Sequence, residues 1–142
     1  MSKKISIIVS FYNEEKSIDS FLEEVVKVMS KIKDLDYEII FINDCSKDNS
    51  LMKLLEHREK NKKIKIINLS RRFGIVPGVL AGFKHAKGDA LVYMDSDLQD
   101  PPELIPKLIE KYNNGAEVVH TKRTKRLGES KIKLFFTKIA YK

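Results

Sequence analysis

Cysteine is nearly missing from this sequence. Cys45 stands alone, which excludes an intrachain disulfide and a cysteine-built zinc site and fits a reducing cytoplasm. Long apolar runs are missing too. No stretch approaches the roughly 20 residues that span a bilayer. Lys3 and Lys4 lead into only a short apolar run before Tyr12-Asn13-Glu14-Glu15, so no signal peptide is expected. Internal repeats, low-complexity tracts and obvious linkers are absent. So are the dinucleotide fingerprint G-x-G-x-x-G and the phosphate loop G-x-x-x-x-G-K-[ST], which argues against an ordinary Rossmann oxidoreductase or NTPase. Histidine is sparse, and His57, His85 and His120 read as surface or packing residues.

What remains is one soluble globular domain of 142 residues, 33% charged and 42% apolar, long enough to bury a core. Its net charge of +7 is unevenly placed. Residues 122–142 hold eight basic side chains against the single acid Glu129, whereas residues 1–121 balance at 19 basic and 19 acidic. Such a tail suits phosphate-rich partners such as a nucleotide, a lipid phosphate or an anionic membrane face; its plainer reading is a solvated helix face. Within it, Ile132, Phe135, Phe136 and Ile139 share one helical face, as in a segment lying at a membrane interface or a helix awaiting a partner.

Strand and helix patterns alternate with short joints. Strands are expected at Ile5–Phe11, Tyr37–Asn43, Ile64–Leu69 and Asp89–Met94, with a fifth at Ala116–Thr121. Helices are expected from Ser17 to Ile32, Asn49 to Lys60, Val76 to Ala86 and Leu104 to Tyr112. Strands apolar on both faces and separated by helices imply an α/β fold with a mostly parallel sheet covered on both sides. Ligands of such sheets bind beyond the carboxyl ends of the strands. Those ends carry Ser10-Phe11-Tyr12-Asn13, Asn43-Asp44-Cys45-Ser46, Ser70-Arg71-Arg72 and Asp95-Ser96-Asp97, so polar groups converge on one rim.

The densest signal is "LVYMDSDLQDPPELI", residues 91–105. Asp100-Pro101-Pro102-Glu103 has the layout of a helix start, with Asp100 as N-cap. Asp95 and Asp97 then remain as an Asp-x-Asp at a strand end. Their mutual repulsion calls for a cation, and two hard oxygen ligands suit Mg²⁺ or Mn²⁺ with open positions for phosphate oxygens. A nucleoside diphosphate is the natural occupant of those positions.

At this point the sequence resembles the family 2 glycosyltransferases of GT-A fold, and within them the polyprenyl-phosphate hexosyltransferases of the dolichol-phosphate mannosyltransferase and bactoprenol glucosyltransferase type. The resemblance rests on "SIIVSFYNEE" (6–15), "IIFINDCSKDNS" (39–50), "NLSRRFG" (68–74), "AGFKHAKGDALVYMDSDLQDPPELI" (81–105) and "KRTKRLGES" (122–130). It implies that Tyr12, Glu14 and Asp44 bind the base and ribose of a donor nucleotide. Asp95, Asp97 and Gln99 would hold the metal and pyrophosphate, with Asp95 and Asp97 as the catalytic pair. Arg123 and Arg126 would face donor and acceptor phosphates, and Arg71 would be a weaker member of the site.

The implied reaction is an inverting transfer of a hexose from a UDP- or GDP-sugar to a polyprenyl phosphate, at the cytoplasmic face of a membrane. A phosphate acceptor is already ionised at neutral pH, so no strong general base is required. Cations are needed to bring two anions together, and the basic tail offers them. On this reading residues 1–121 form the nucleotide-sugar core and residues 122–142 begin an acceptor-side part, with the chain expected to be truncated at its C-terminus. Two departures stand out. Cys45 replaces a usual glycine, and Ile75-Val76-Pro77 replaces the usual Lys-Glu-Ala, removing a charged pair near the donor site. The competing readings are a family 2 transferase to a saccharide hydroxyl and a non-catalytic nucleotide-binding domain. A nucleic-acid role is disfavoured by the acidic rim and by a tail without interleaved aromatics.

Overall fold

The computed structural model describes residues 3–122. Its elements run β1 (Lys3–Phe11), α1 (Ile18–Met29), β2 (Leu35–Asn43), α2 (Ser50–Lys60), β3 (Ile64–Asn68), α3 (Ile75–His85), β4 (Ala90–Asp95), a 3₁₀ turn at Pro102–Leu104, and α4 (Ile105–Asn113). The four strands form one parallel sheet in the order β3-β2-β1-β4. This is the expected α/β architecture. Each helix returns the chain to the same end of the sheet, so all four strand-to-helix turns share one rim.

The two faces of the sheet are packed unequally. Ile5, Ile7, Val9, Ile39, Phe41, Val92 and Met94 point to one side and bury against the apolar stripes of α1 and α4. Phe41 sits at the centre, with the rings of Phe11 and Phe21 each 6.1 Å away in edge-to-face contact. On the other side Ile8, Ile40 and Ile42 form a thinner layer. Helix α3 closes on that layer through glycines. A β-carbon at Gly82 would stand 2.5 Å from Ile8 Cγ2 and 2.9 Å from Ile42 Cδ1, and one at Gly78 would stand 2.7 Å from Ser10 Oγ. Only glycine permits this approach, which brings the start of α3 up against the rim.

Below that layer lies a buried carboxylate, Glu38. Its Oε1 accepts from Ser6 Oγ and the Lys87 N–H, both at 2.7 Å, while Oε2 lies 2.5 Å from Lys65 Nζ and 3.6 Å from Lys4 Nζ. Burial alone would raise its pKa. The Lys65 ammonium and the two hydrogen bonds outweigh burial and hold it at about 2.

Two expectations are corrected. Ala116–Thr121 forms no strand, and Val118 is 71% exposed. Two adjacent valines favour extended backbone, but β-propensity needs a neighbour's hydrogen bonds and a face to bury. Among the described residues β4 pairs only with β1. The N-cap position falls on Pro101, not on Asp100. The helical turn starts at Pro102, with Pro101 as the extended residue before it (φ −67°, ψ 127°). Pro102 excludes helical backbone from the residue preceding it, which moves the start one position beyond the expected site. Residues 123–142, including Arg123, Arg126 and the apolar face at 132–139, lie outside the described residues.

Candidate active site at the carboxyl rim of the sheet

Each of the four strand-to-helix turns contains one residue with left-handed backbone. These are Asn13 (φ 56°) after β1, Cys45 (φ 61°) after β2, Gly74 (φ 91°) after β3 and Leu98 (φ 60°) after β4. For the three that are not glycine this conformation costs on the order of 1 kcal/mol each, and such strain collects where a turn is fixed by something other than its own preference. Cys45 thus adopts the conformation that a glycine there would serve, and the turn is kept despite the substitution.

The turns after β1 and β2 are stitched together. Asn13 N–H donates to Ser46 Oγ (3.0 Å), and the Lys47 N–H donates back to Asn13 Oδ1 (2.8 Å). The Glu14 N–H reaches Ser50 Oγ (2.8 Å), the Glu15 N–H reaches Asp48 Oδ2 (3.1 Å), and the Asn49 N–H returns to Glu15 Oε2 (3.0 Å). Asn43 closes its own turn by accepting from the Ser46 N–H (2.9 Å), and its amide donates to Asn68 at the end of β3 (2.7 Å).

Three residues meet on this frame. Asp44 is buried, and its two oxygens accept the N–H groups of Phe73 (2.7 Å) and Gly74 (2.9 Å). It therefore fixes the entry to α3 as well as facing the rim. The Arg72 guanidinium stacks over the half-buried Tyr12 ring, 4.0 Å from its centroid, with Nε 4.0 Å from Asp44 Oδ2. Arg71 turns instead onto Phe73 at 4.8 Å. Glu14 accepts a 2.6 Å hydrogen bond from Ser17 Oγ, and its carbonyl accepts the Ser17 and Ile18 N–H groups, so it also organises the start of α1.

The β4 side is built differently. Asp95, the last residue of β4, lies beside Ser10 in the sheet register and accepts a 2.7 Å hydrogen bond from the Tyr93 hydroxyl. Partial burial, with the Asp95 carboxylate next, pushes the Tyr93 phenol pKa above its usual range, so it remains a donor. Asp97 is exposed in the turn and accepts from the Gln99 N–H at 3.0 Å. Among the described residues no three His, Cys, Asp or Glu side chains gather as a metal cage. The available donors are the Asp95 and Asp97 carboxylates, which fit a hard divalent cation shared with a ligand's phosphates. They do not fit one held by the protein alone.

Tyr12, Glu14, Asp44, Asp95, Asp97 and Gln99 thus all lie on one rim. Tyr12 and Asp44 are joined through Arg72, and no described contact joins them to the β4 aspartates. His57 pairs with Asp19 at 2.8 Å on the helical surface, and His85 bonds the Ala81 carbonyl within α3. Sequence reasoning gave weak weight to Arg71 and singled out neither Arg72, which lies over Tyr12, nor Tyr93, which donates to Asp95. The tyrosine had a signal: Tyr93 and Asp95 are two apart on a strand and share a face.

The sequence pattern of glycosyl transferase family 2 matches residues 6–135. An uncharacterized glycosyltransferase of Synechocystis sp. is 41% identical over the whole chain, and a prophage bactoprenol glucosyl transferase homolog of Escherichia coli is 39% identical over 92% of it. The chain spans 44% and 42% of the length of those two relatives. The Pyrobaculum calidifontis mannosyltransferase PcManGT, solved with GDP-Man and Mn²⁺, superposes with a TM-score of 0.60 over 71% of this chain and 34% of its own, at 19% identity, which extends the likeness to the GT-A fold. The chain belongs to glycosyl transferase family 2.

Proposed function

We propose that this chain carries the donor-binding core of an inverting hexosyltransferase that moves a sugar from a nucleoside diphosphate to a polyprenyl phosphate at the cytoplasmic face of a membrane. The observation that carries the reading is the shared rim. An aromatic ring with a buried carboxylate stands at the ends of β1 and β2, and two aspartates stand at the end of β4. The name of the E. coli relative, a bactoprenol glucosyl transferase homolog, supports a polyprenyl phosphate acceptor.

In this reading Tyr12 and Asp44 hold the base and ribose, and Glu14 braces the turn beside them. Asp95 and Asp97 would hold Mg²⁺ or Mn²⁺ with the pyrophosphate, Tyr93 orients the Asp95 carboxylate, and Gln99 borders the same turn. Such a cation would stabilise charge on the departing diphosphate. The acceptor phosphate oxygen forms the new bond to the anomeric carbon as the nucleoside diphosphate leaves from the opposite side. The basic segment from Lys122, with Arg123 and Arg126, draws the acceptor phosphate and the anionic membrane face to the rim.

The test is transfer of radiolabelled glucose from UDP-glucose, or mannose from GDP-mannose, to undecaprenyl phosphate in detergent with Mn²⁺. Label entering the lipid phase, and lost with Asp97→Ala, is the expected result. Label passing only to a saccharide hydroxyl would replace the acceptor assignment. Nucleotide binding without any transfer would leave this chain a binding domain.

A further inference from the structure

Arg72 stands where Tyr12 would be needed. Its guanidinium carbon lies 4.0 Å from the Tyr12 ring centroid, which is contact distance and leaves no room for a second flat group between them. Its Nε reaches toward Asp44 Oδ2 at 4.0 Å, and the side chain is otherwise 67% exposed. Arg71, the neighbouring cation, is occupied on Phe73 and does not contend for the same ring.

A guanidinium is flat, delocalised, and carries N–H donors in its plane. A uracil or guanine ring has the same features on the edge that bears its ring N–H. Tyr12 offers a face to stack on, and Asp44 offers an acceptor beside it. We propose that Arg72, lying over Tyr12 beside Asp44, takes the place of the nucleobase and must leave it for the donor to bind, so that it sets base affinity as a built-in competitor. This rests on the reading of Tyr12 as the base-binding residue. Displacement is easy because the arginine is exposed: its stack and its long contact to Asp44 are both of the weak, water-facing kind.

The experiment titrates uridine and guanosine, which lack phosphate and need no metal, into the full chain and into Arg72→Ala, Tyr12→Ala and the double variant. Binding is followed by the amide NMR signals of Cys45 and Gly74. Arg72 is exposed, so Arg72→Ala is expected to fold, and far-ultraviolet circular dichroism checks this. The expected result is a tightening of about 2- to 5-fold for one nucleoside in Arg72→Ala, the size of a lost exposed cation–π contact. In the Tyr12→Ala background removing Arg72 should bring no gain.

Equal or weaker binding by Arg72→Ala would overturn the inference, since a bystander changes nothing and a clamp over the base loses affinity. A parallel titration with UDP and GDP plus Mn²⁺ separates the two levels. If these bind while Arg72→Ala gives no tightening, the donor-site reading stands and the competition is wrong. If no nucleoside or nucleotide binds any variant, both fall.

Discussion

Asp44 and Asp97 both follow the carboxyl end of a parallel strand, yet they are held in opposite ways. Asp44 is buried, with one backbone N–H on each oxygen, in a turn stitched to its neighbour by hydrogen bonds between residues 33 to 36 positions apart. Asp97 is exposed, its one described hydrogen bond coming from an N–H two residues along its own turn. The first half of the rim is assembled before any ligand arrives. The second half keeps the Asp97 carboxylate open to solvent and ties Asp95 only to the Tyr93 hydroxyl, which suits the cation-sharing role proposed above. On the proposed reading, pre-organisation falls where a neutral base is positioned and openness where charge is exchanged.

Substitution and pH should separate held carboxylates from open ones. The most firmly held is Glu38, toward the amino ends of the strands. Its pKa of about 2 lies below the ordinary 4.5, so folding favours its charged form. The stability this contributes is present above about pH 4.5 and lost as pH falls through about 2, an effect on the order of 3 kcal/mol. Urea unfolding between pH 6 and pH 2 should show that loss, and Glu38→Gln should flatten it.

Asp44→Asn comes next. It replaces an acceptor by an N–H₂ facing the N–H of Phe73 or Gly74, and should cost about 2 kcal/mol of stability in urea melts. Cys45→Val places a β-branched side chain at φ 61° and should cost about 1–2 kcal/mol, while Cys45→Gly should be neutral or stabilising; differential scanning calorimetry distinguishes the pair. Smallest should be Asp97→Ala, within about 0.5 kcal/mol of the parent in the same melts. A large loss there would erase the contrast between the two halves.

Most of the fold was legible, because β-branched runs such as "ISIIVSF" and "YEIIFIN" bury both faces and the stripe of α1 repeats at helical spacing. The rim was legible for the same reason, since in a parallel sheet every strand end falls on one side. Where reading failed, the decisive interaction lay outside the segment being read. Ala116–Thr121 has strand chemistry, yet among the described residues it forms no ladder with the open edge of β3 or β4. Asp100 has cap chemistry, but the second proline moves the helix start. Arg72 and Arg71 are chemically identical in sequence, and only the turn places one on Tyr12 and the other on Phe73. The stitching of the first two turns joins short polar side chains across more than thirty residues, a pattern no local spacing reveals.

The central claim, a donor site completed by a divalent cation at the end of β4, is met most directly by calorimetric titration of the chain with UDP and GDP, with and without Mn²⁺, beside Asp97→Ala. The account predicts that one nucleotide binds, that Mn²⁺ strengthens its binding at least tenfold, and that Asp97→Ala abolishes this gain while the protein stays folded. Binding of equal strength without metal, or unchanged in Asp97→Ala, would contradict it.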